Sequence, residues 1–210
     1  MQIQVIPVGP LQTNCYLAVC PESQAAAIVD PGWSGEELYN LVQREKLELK
    51  AILLTHAHFD HVGGAAALKR LSNAPLLAHP DSELLLRNAH HHAQAWGFQV
   101  DPTPKLDGGL AEGQIIEVGT LRLEVLYTPG HAPGHVCFYQ ARAGVLFDGD
   151  VLFKGGIGRT DLPGGNYARL MKSIREKLLT LPDDTAVYSG HGPATTIGNE
   201  RRGNPFLGKL

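Results

Sequence analysis

Four side chains of the types that bind metal ions lie within six positions, directly after an apolar run. The run 51–54 is Ala-Ile-Leu-Leu, and Thr55 separates it from the segment His56-Ala57-His58-Phe59-Asp60-His61. The run predicts a buried strand, and at an extended strand end residues i and i+2 point the same way. His56 and His58 can therefore present their imidazole nitrogens to one point. Unpaired polar groups at the end of such a strand would be costly, so the fold must give them partners.

Asp60 and His61 lie where the chain turns toward the next predicted helix. From there their side chains can bind a second ion close to the first. Neutral imidazole and carboxylate are ligands of zinc, iron and manganese. The cluster therefore predicts a metal centre rather than a helix-capping loop that carries surface histidines.

Three more loops at predicted strand ends carry side chains of the same types. His131 lies among prolines and glycines after one strand, and Asp148 and Asp150 follow another, where one of them can bridge two ions. His191 lies between two glycines after the last strand. Each loop alone is more typical of a turn, but together with the dense cluster they indicate one site. His135 opens the next strand, and we expect it to form hydrogen bonds instead of binding metal.

Hydrophobic periodicity predicts strands that alternate with helices along the chain. Strands are predicted at 3–8, 15–19, 25–29, 51–54, 75–79, 115–118, 121–127, 135–139, 144–147 and 186–189. Helices are predicted at 35–46 with a capping box of Ser34 and Glu37, at 65–71, from a cap at Asp81 to about Trp96, and from a cap at Asn166 to Pro182. No linker divides residues 1–210, so we predict one α/β domain, a four-layer αββα sandwich of two mixed sheets covered by helices.

Composition narrows the expected partners and location. The chain has 210 residues and a formal net charge of −3, and its longest basic block is Arg201-Arg202, which argues against nucleic acid as a partner. It has no apolar run of roughly 18 residues and no leader-like N-terminus, so we expect a cytoplasmic protein without a membrane partner. The three cysteines are expected to be reduced and structural. A small molecule is the expected partner, and the sequence leaves the oligomeric state open.

The motif His56-x-His58-x-Asp60-His61, followed by His131, Asp150 and His191, resembles the metallo-β-lactamase superfamily over nearly the whole chain. The resemblance implies an αββα sandwich with metals at one edge between the sheets. It also implies two ion sites bridged by Asp150: His56, His58 and His131 hold one ion, and Asp60, His61 and His191 hold the other.

Individual residues separate the branches of that superfamily. Its true β-lactamases usually carry a cysteine where Asp150 stands, and its flavodiiron branch carries a carboxylate where His58 stands. The segments 128–135, 149–153 and 158–161 instead resemble small glyoxalase II-like hydrolases. Full-length glyoxalase II, which hydrolyses acyl-glutathione thioesters, has a C-terminal helical region that helps to bind glutathione. Only 19 residues follow His191, so glutathione specificity is not implied.

Arg159 stands where glyoxalase II has a lysine that contacts glutathione. A guanidinium offers a planar pair of donors, so Arg159 is the candidate contact for a substrate carboxylate or phosphate. The tyrosines that glyoxalase II uses nearby are replaced here by Asp161 and Pro193. A structural ion pair between Arg159 and Asp161 is the alternative interpretation.

The predicted function is therefore metal-dependent hydrolysis of a thioester or ester, of the acyl-glutathione type. Two divalent ions are expected, with zinc favoured and iron or manganese as alternatives. A water bridging two ions roughly 3.5–4 Å apart would be acidic enough to serve as a hydroxide nucleophile. Asp60 is the candidate catalytic residue that orients this hydroxide and moves its proton. Thr55 or Asp148 is expected to fix the imidazoles.

Two other function classes fit the same motif. Persulfide dioxygenases of the superfamily share the Gly-Arg-Thr-Asp segment 158–161 but use one iron, here held by His56, His131 and Asp150. A metal-binding module without catalysis is the third class. The consecutive histidines 90–92 spread about 100° apart on a helix and are expected at the surface or a pocket rim. Trp96 and Phe98 could line a substrate cleft, but packing in the core or a lid is the expectation.

Overall fold

Two six-stranded sheets lie face to face in a computed structural model that describes residues 1–208. The first sheet contains, in spatial order, β1 (Gln2–Val8), β2 (Thr13–Val19), β3 (Ala25–Val29), β4 (Glu48–Leu53), β5 (Leu76–Ala78) and β6 (Gly108–Gly109). Strands β1 to β3 are antiparallel, and β3 to β6 are parallel. The carboxyl ends of β3, β4 and β5 therefore meet at one edge of the sheet.

The second sheet is mostly antiparallel. Its strands are β7 (Ile115–Val118), β8 (Leu121–Tyr127), β9 (Val136–Gln140), β10 (Val145–Gly149), β13 (Ala186–Ser189) and β14 (Thr195–Thr196), in the spatial order β14-β13-β10-β9-β8-β7. Only β10 and β13 pair in parallel within it. A separate hairpin consists of β11 (Leu152–Phe153) and β12 (Gly156–Ile157). The chain turns after β10 and enters this hairpin directly.

Helices cover the outer faces of both sheets. The first sheet carries α1 (Gly35–Arg44), α2 (Phe59–Val62), α3 (Ala65–Ser72) and α4 (Glu83–Ala95). The second carries α5 (Tyr167–Ser173), which continues as a π-helical turn over Ile174–Leu178, and α6 (Ile197–Gly203). This arrangement confirms the predicted αββα sandwich. In residues 1–208, no helix has both the length and the apolarity needed to cross a membrane.

The hydrophobic core is divided by the sheets. Neighbouring residues of β4 enter different parts of it: Ile52 packs under the helices of the first sheet, and Leu53 packs between the sheets. Phe138 and Phe147 fill the layer between the sheets and are fully buried. Burying a side chain of this size contributes about 1.5–3 kcal/mol. Because the second half of β4 is covered on both faces, residues 51–53 form a continuous apolar run rather than an alternating one.

The helix starts differ from the predicted caps in two of three cases. Ser34 does not cap α1 through its side chain. Asp81 does not cap α4 either, since it lies in a 3₁₀ turn whose first free N–H, that of Asp81, donates to Nδ1 of His79 at 3.1 Å. Asn166 caps α5 as predicted, with its Oδ1 accepting from Arg169 N at 2.9 Å. Local spacing alone did not distinguish a cap from a nearby turn.

Element ends differ by a few residues from the prediction. Helix α1 stops at Arg44 because Lys46 has a positive φ of 55°, which ends the helical path. The segment after β4, predicted as a loop, contains the one-turn helix α2. The three cysteines (Cys15, Cys20 and Cys137) are buried free thiols, as expected.

Gly130 provides a test of how tightly the loop after β8 packs against α5. Its φ is +142°, and a Cβ there would lie 2.2 Å from the backbone nitrogen of Leu170 in α5. We expect Gly130→Ala to lower the free energy of unfolding by more than about 2 kcal/mol, because backbone strain and a backbone clash add. Urea titration measures this.

Gly113→Ala is the matched control. It has a positive φ of +72°, but no heavy atom of the described chain lies within 4 Å of the added Cβ. Strain alone should cost about 1 kcal/mol there. Equal losses in both variants would contradict the packing described for Gly130.

Candidate metal centre

The site lies at the edge where strand ends of both sheets meet. The chain leaves β4 through Thr55 and runs along the edge to His58, which precedes α2. Helix α2 carries Asp60 and His61, both buried. The loops after β8, β10 and β13 bring in the remaining predicted ligands, so the structure gathers all seven: His56, His58, Asp60, His61, His131, Asp150 and His191.

Three imidazoles form the first group of ligand-type atoms. His58 Nδ1 lies 3.0 Å from His56 Nε2 and 2.9 Å from His131 Nε2. All three ligand atoms lie within 4.8 Å of one another. Bonds of about 2.1 Å to a tetrahedral cation would place such atoms roughly 3.4 Å apart, so the group has the size of a metal site.

Asp60, His61 and His191 form a second group of the same size. Asp60 Oδ2 lies 3.2 Å from His191 Nε2 and 3.6 Å from His61 Nε2. Thr13 Oγ1 donates to the same Asp60 oxygen at 3.1 Å. Thr13 is buried and fixes the carboxylate from the side of β2, a contact that the sequence analysis missed.

Asp150 lies between the two groups. Its Oδ1 is 3.6 Å from His61 Nε2, and its Oδ2 is 3.6 Å from His131 Nε2 and 3.7 Å from His191 Nε2. Its two oxygens therefore face both groups. This is the position that a bridging ligand requires.

The donor set fits divalent cations. Buried polar atoms nearly always have hydrogen-bond partners, yet His61 Nε2 and Asp150 Oδ1 are buried with none among the described residues. Gly190 keeps this space open, since a Cβ there would lie 2.2 Å from Asp150 Oδ1. Nitrogen and oxygen donors of this kind suit zinc, iron and manganese.

A carboxylate behind the ligands holds two of them in place. Asp30 Oδ2 lies 2.9 Å from His61 Nδ1 and accepts from Thr55 Oγ1 at 2.7 Å, while its Oδ1 accepts from Thr55 N at 2.8 Å. Thr55 Oγ1 also lies 3.0 Å from His56 Nδ1, as predicted. Such partners orient ligating imidazoles and fix their tautomers.

Asp30 was missed because Asp30-Pro31-Gly32 is also a turn signal. The signal that identifies it is its position at the end of β3, which pairs in parallel with β4. Asp148, predicted to fix an imidazole, instead accepts from Leu152 N at 2.7 Å and lies 3.4 Å from Cys137 Sγ. Asp148 lies within β10 and is fully buried.

His135 forms hydrogen bonds, as expected. Asp150 N donates to its Nε2 at 3.1 Å, so the ring proton lies on Nδ1, which is 3.0 Å from Thr128 Oγ1. Both ring nitrogens are therefore used. His131 directs its Nδ1 toward the backbone oxygen of Arg159 at 2.8 Å, which leaves its Nε2 for the site.

Burial and charge divide the histidines into two kinds. Burial lowers the pKa of His58 to about 3 and lowers the pKa values of His56 and His131, so these imidazoles are neutral and have a lone pair for a metal. Burial acts in the same direction on His61, but its acidic neighbours (Asp60, Asp150 and Asp30) prevail and raise its pKa to about 10. A cation binding at His61 would displace this proton.

A cavity of about 640 Å³ opens above the site. Five predicted ligands form its polar part: His58, Asp60, His131, Asp150 and His191. His92 and Arg159 also line it. Trp96 lines it too, which matches the cleft-lining alternative rather than the favoured core or lid packing, while Phe98 packs against Trp33 with ring centroids 5.4 Å apart.

Arg159 both lines the cavity and pairs with Asp161. Its Nε and Nη2 donate to the two carboxylate oxygens of Asp161, each at 2.7 Å. The ion pair considered as an alternative is therefore present, and it occupies the planar donor pair that a substrate anion would use.

Known proteins with this sequence pattern share the fold. A family model described as the metallo-beta-lactamase superfamily matches residues 8–191. Hydroxyacylglutathione hydrolase GloC of Haemophilus influenzae is 42% identical over 214 residues, covering 99% of this chain and 98% of that protein.

Solved structures also match this chain over nearly its whole length. BLEG-1 B3 metallo-beta-lactamase superposes with a TM-score of 0.92 at 42% identity, covering 99% of this chain and 100% of that one. TTHA1623 in a di-iron-bound form has a TM-score of 0.90 at 44% identity, covering 97% and 100%. ETHE1 from Myxococcus xanthus has a TM-score of 0.82 at 28% identity, covering 100% and 86%. With the family model spanning residues 8–191, these likenesses show that the chain belongs to the metallo-β-lactamase superfamily.

Proposed function

We propose that this protein is a metal-dependent hydrolase of thioesters or esters, similar to glyoxalase II. The observation that carries the proposal is the pair of ligand groups on either side of Asp150, beneath one cavity. The GloC relative, whose name describes hydrolysis of an acyl-glutathione, supports the reaction class. The proposed partner is a small molecule, since the site lies within a cavity rather than on an open face.

Two divalent ions are the proposed cofactors, with zinc favoured. One ion would be held by His56, His58 and His131, the other by Asp60, His61 and His191, and Asp150 would contact both. The di-iron form of TTHA1623 shows that a protein of this fold binds iron, so iron stays an alternative.

The reaction adds water across the acyl bond. When bound, two divalent ions make a water acidic near neutral pH and polarise a carbonyl oxygen. Asp60, held by Thr13 and lining the cavity, accepts a proton from the water at a carboxylate oxygen and passes it to the leaving sulfur or oxygen. The carbon–sulfur or carbon–oxygen bond breaks, and the products are a carboxylic acid and a thiol or alcohol.

A persulfide dioxygenase is the second candidate. The likeness to ETHE1 and the Gly-Arg-Thr-Asp segment 158–161 favour it. A single iron on His56, His131 and Asp150 would leave the group of Asp60, His61 and His191 without a role. The completeness of that second group is why hydrolysis is proposed.

Metal content and turnover test the proposal together. We expect about two zinc-type ions per chain, hydrolysis of S-lactoylglutathione by the loaded protein, and loss of turnover on chelation that added zinc restores. Elemental analysis and thiol release measure these. One iron per chain with oxygen consumption on glutathione persulfide would establish the dioxygenase instead, and failure on both substrates would leave a module without catalysis.

His58→Ala tests the ligand assignment. Because His58 lies about 3 Å from both other imidazoles of its group, we expect a fall in turnover of about 100-fold or more and a loss of bound metal, with the fold retained. His91→Ala is the matched control, an exposed histidine of α4 outside the cavity lining. Unaltered turnover in folded His58→Ala protein would refute the assignment.

Asp30→Asn tests the support behind the ligands. An amide retains an acceptor for Thr55 N but loses the charge that faces His61 Nδ1, so metal affinity should fall by about 10- to 100-fold. Competition with a chromophoric chelator measures the affinity, and the exposed Asp184→Asn serves as the control. Equal affinities in the two variants would show that Asp30 supports the fold only.

A further inference from the structure

We propose that Asn14 is the positioning residue of His191, and that it thereby determines how tightly the second ion is held. The second ion is the one assigned to Asp60, His61 and His191, so this inference rests on the proposed function. It is carried by three hydrogen bonds between the start of β2 and the segment that contains His191.

His191 is held less firmly by its own surroundings than the other ligands of the second group. Its side chain is 32% exposed, whereas those of His61 and Asp60 are 0% and 11% exposed. Asp30 Oδ2 lies 2.9 Å from the Nδ1 of His61, but within residues 1–208 no group forms a hydrogen bond with the Nδ1 of His191. The direction of the His191 ring therefore depends on the backbone that carries it.

That backbone is the segment 189–192, Ser-Gly-His-Gly, which begins at the last residue of β13. Its two glycines have no side chains that could anchor it, and a Cβ at Gly190 would lie 2.2 Å from Asp150 Oδ1. On the side of the second sheet, Gly190 N donates to Gly149 O at 2.6 Å. The segment needs further hydrogen bonds from other parts of the chain to fix it.

Asn14 provides these hydrogen bonds from the first sheet. Its side-chain Nδ2 donates to Ser189 O at 3.0 Å and to Gly192 O at 2.9 Å, and its backbone N donates to Gly190 O at 2.7 Å. Carbonyl oxygens only accept, so both side-chain bonds require a donor at this position. One buried residue thus fixes the backbone on both sides of His191.

Tyr16 shares part of this task. Its hydroxyl also donates to Ser189 O, on the N-terminal side of His191. On the C-terminal side, the donor to Gly192 O within residues 1–208 is Asn14 Nδ2. Removing the Asn14 side chain therefore frees one end of the segment while Tyr16 keeps the other. We expect the His191 ring to lose its direction while β13 stays paired in the sheet.

The neighbouring residue Thr13 supports another ligand of the same ion. Thr13 Oγ1 donates to Asp60 Oδ2 at 3.1 Å, and this oxygen lies 3.2 Å from His191 Nε2. Asp60 comes from α2 on the first sheet, whereas His191 follows a strand of the second. Thr13 and Asn14 together therefore hold two ligands that reach the second ion from different sheets.

The first group of ligands does not depend on this segment. Thr55 Oγ1 lies 3.0 Å from His56 Nδ1, and His131 Nδ1 lies 2.8 Å from Arg159 O. Loss of the Asn14 side chain should therefore weaken the second ion and leave the first almost unaffected. A role confined to the stability of the fold would weaken both sites alike or neither.

Zinc titration of the metal-free full chain against a chromophoric chelator separates the two binding steps. Asn14→Leu keeps a side chain of similar size but removes both donors. We expect it to retain one zinc within about twofold of the wild-type affinity and to bind the other about 10- to 100-fold more weakly. Asn88→Leu is the control, since Asn88 Nδ2 also donates to a backbone oxygen, that of Leu84 at 2.8 Å, but lies outside the cavity lining.

A double-mutant cycle shows whether Asn14 acts through His191. His191→Ala should weaken the same zinc, and adding Asn14→Leu to it should weaken that zinc by less than about twofold further. An equal penalty in both backgrounds contradicts the inference. If Asn14→Leu does not fold, Asn14→Ser, whose shorter side chain keeps one donor, enters the same comparison. Urea titration of the metal-free variants measures their folding separately.

The outcomes separate the inference from the proposed function. If the wild-type chain binds two zinc ions and Asn14→Leu weakens both alike or neither, the inference fails while the proposed function stands. If Asn14→Leu weakens one ion only but the loaded wild-type protein hydrolyses no thioester or ester, the inference stands and the proposed function fails. Binding of a single ion by the wild-type chain contradicts both.

Discussion

The fold of this protein concentrates ionisable side chains in a buried place at the edge between the two sheets. His56, His61 and His131 are nearly fully buried, and Asp60 and Asp150 are only slightly exposed. Polar groups held in this way are costly unless they are paired, and charged ones more so. Asp30 and Thr55 bond to the imidazoles from behind, and the atoms left without a partner, His61 Nε2 and Asp150 Oδ1, are those that a cation would satisfy. Every other feature of the edge between the sheets is arranged around this requirement.

The same requirement explains the uneven electrostatics of the site. Where only imidazoles meet, burial keeps them neutral, as at His56 and His58. Where carboxylates converge, they outweigh burial and raise the pKa of His61. Histidines of the two neighbouring ligand groups thus differ in charge: His56 and His58 are neutral, whereas His61 is protonated. A cation would replace the proton on one side and use free lone pairs on the other.

The cavity above the site shows how chemistry and selectivity are separated in this fold. The predicted ligands come from strand ends and α2, which are fixed by both sheets. The walls come from α4 and from the β11–β12 hairpin, which α6 supports. Changes in the wall can therefore alter the bound group without moving the ligands. Arg159, which is paired with Asp161, lines the cavity next to the predicted ligands.

The sequence by itself determined the layer architecture and the choice of the seven candidate ligands, which the fold brings together. It could do so because the spacing of apolar residues, every second residue in a strand and every third or fourth in a helix, shows which face of a segment is buried. A dense His/Asp motif is also rare enough to indicate a family. Asp30, Thr13 and the wall residue Trp96 were decided only by the tertiary structure. Their contacts join residues far apart in the chain: β2 with α2, and β3 with the loop after β4. Local sequence patterns do not show which distant residues will be in contact. Asp30 is therefore indistinguishable from a turn residue, and Trp96 from a core residue, until the strands and helices are packed.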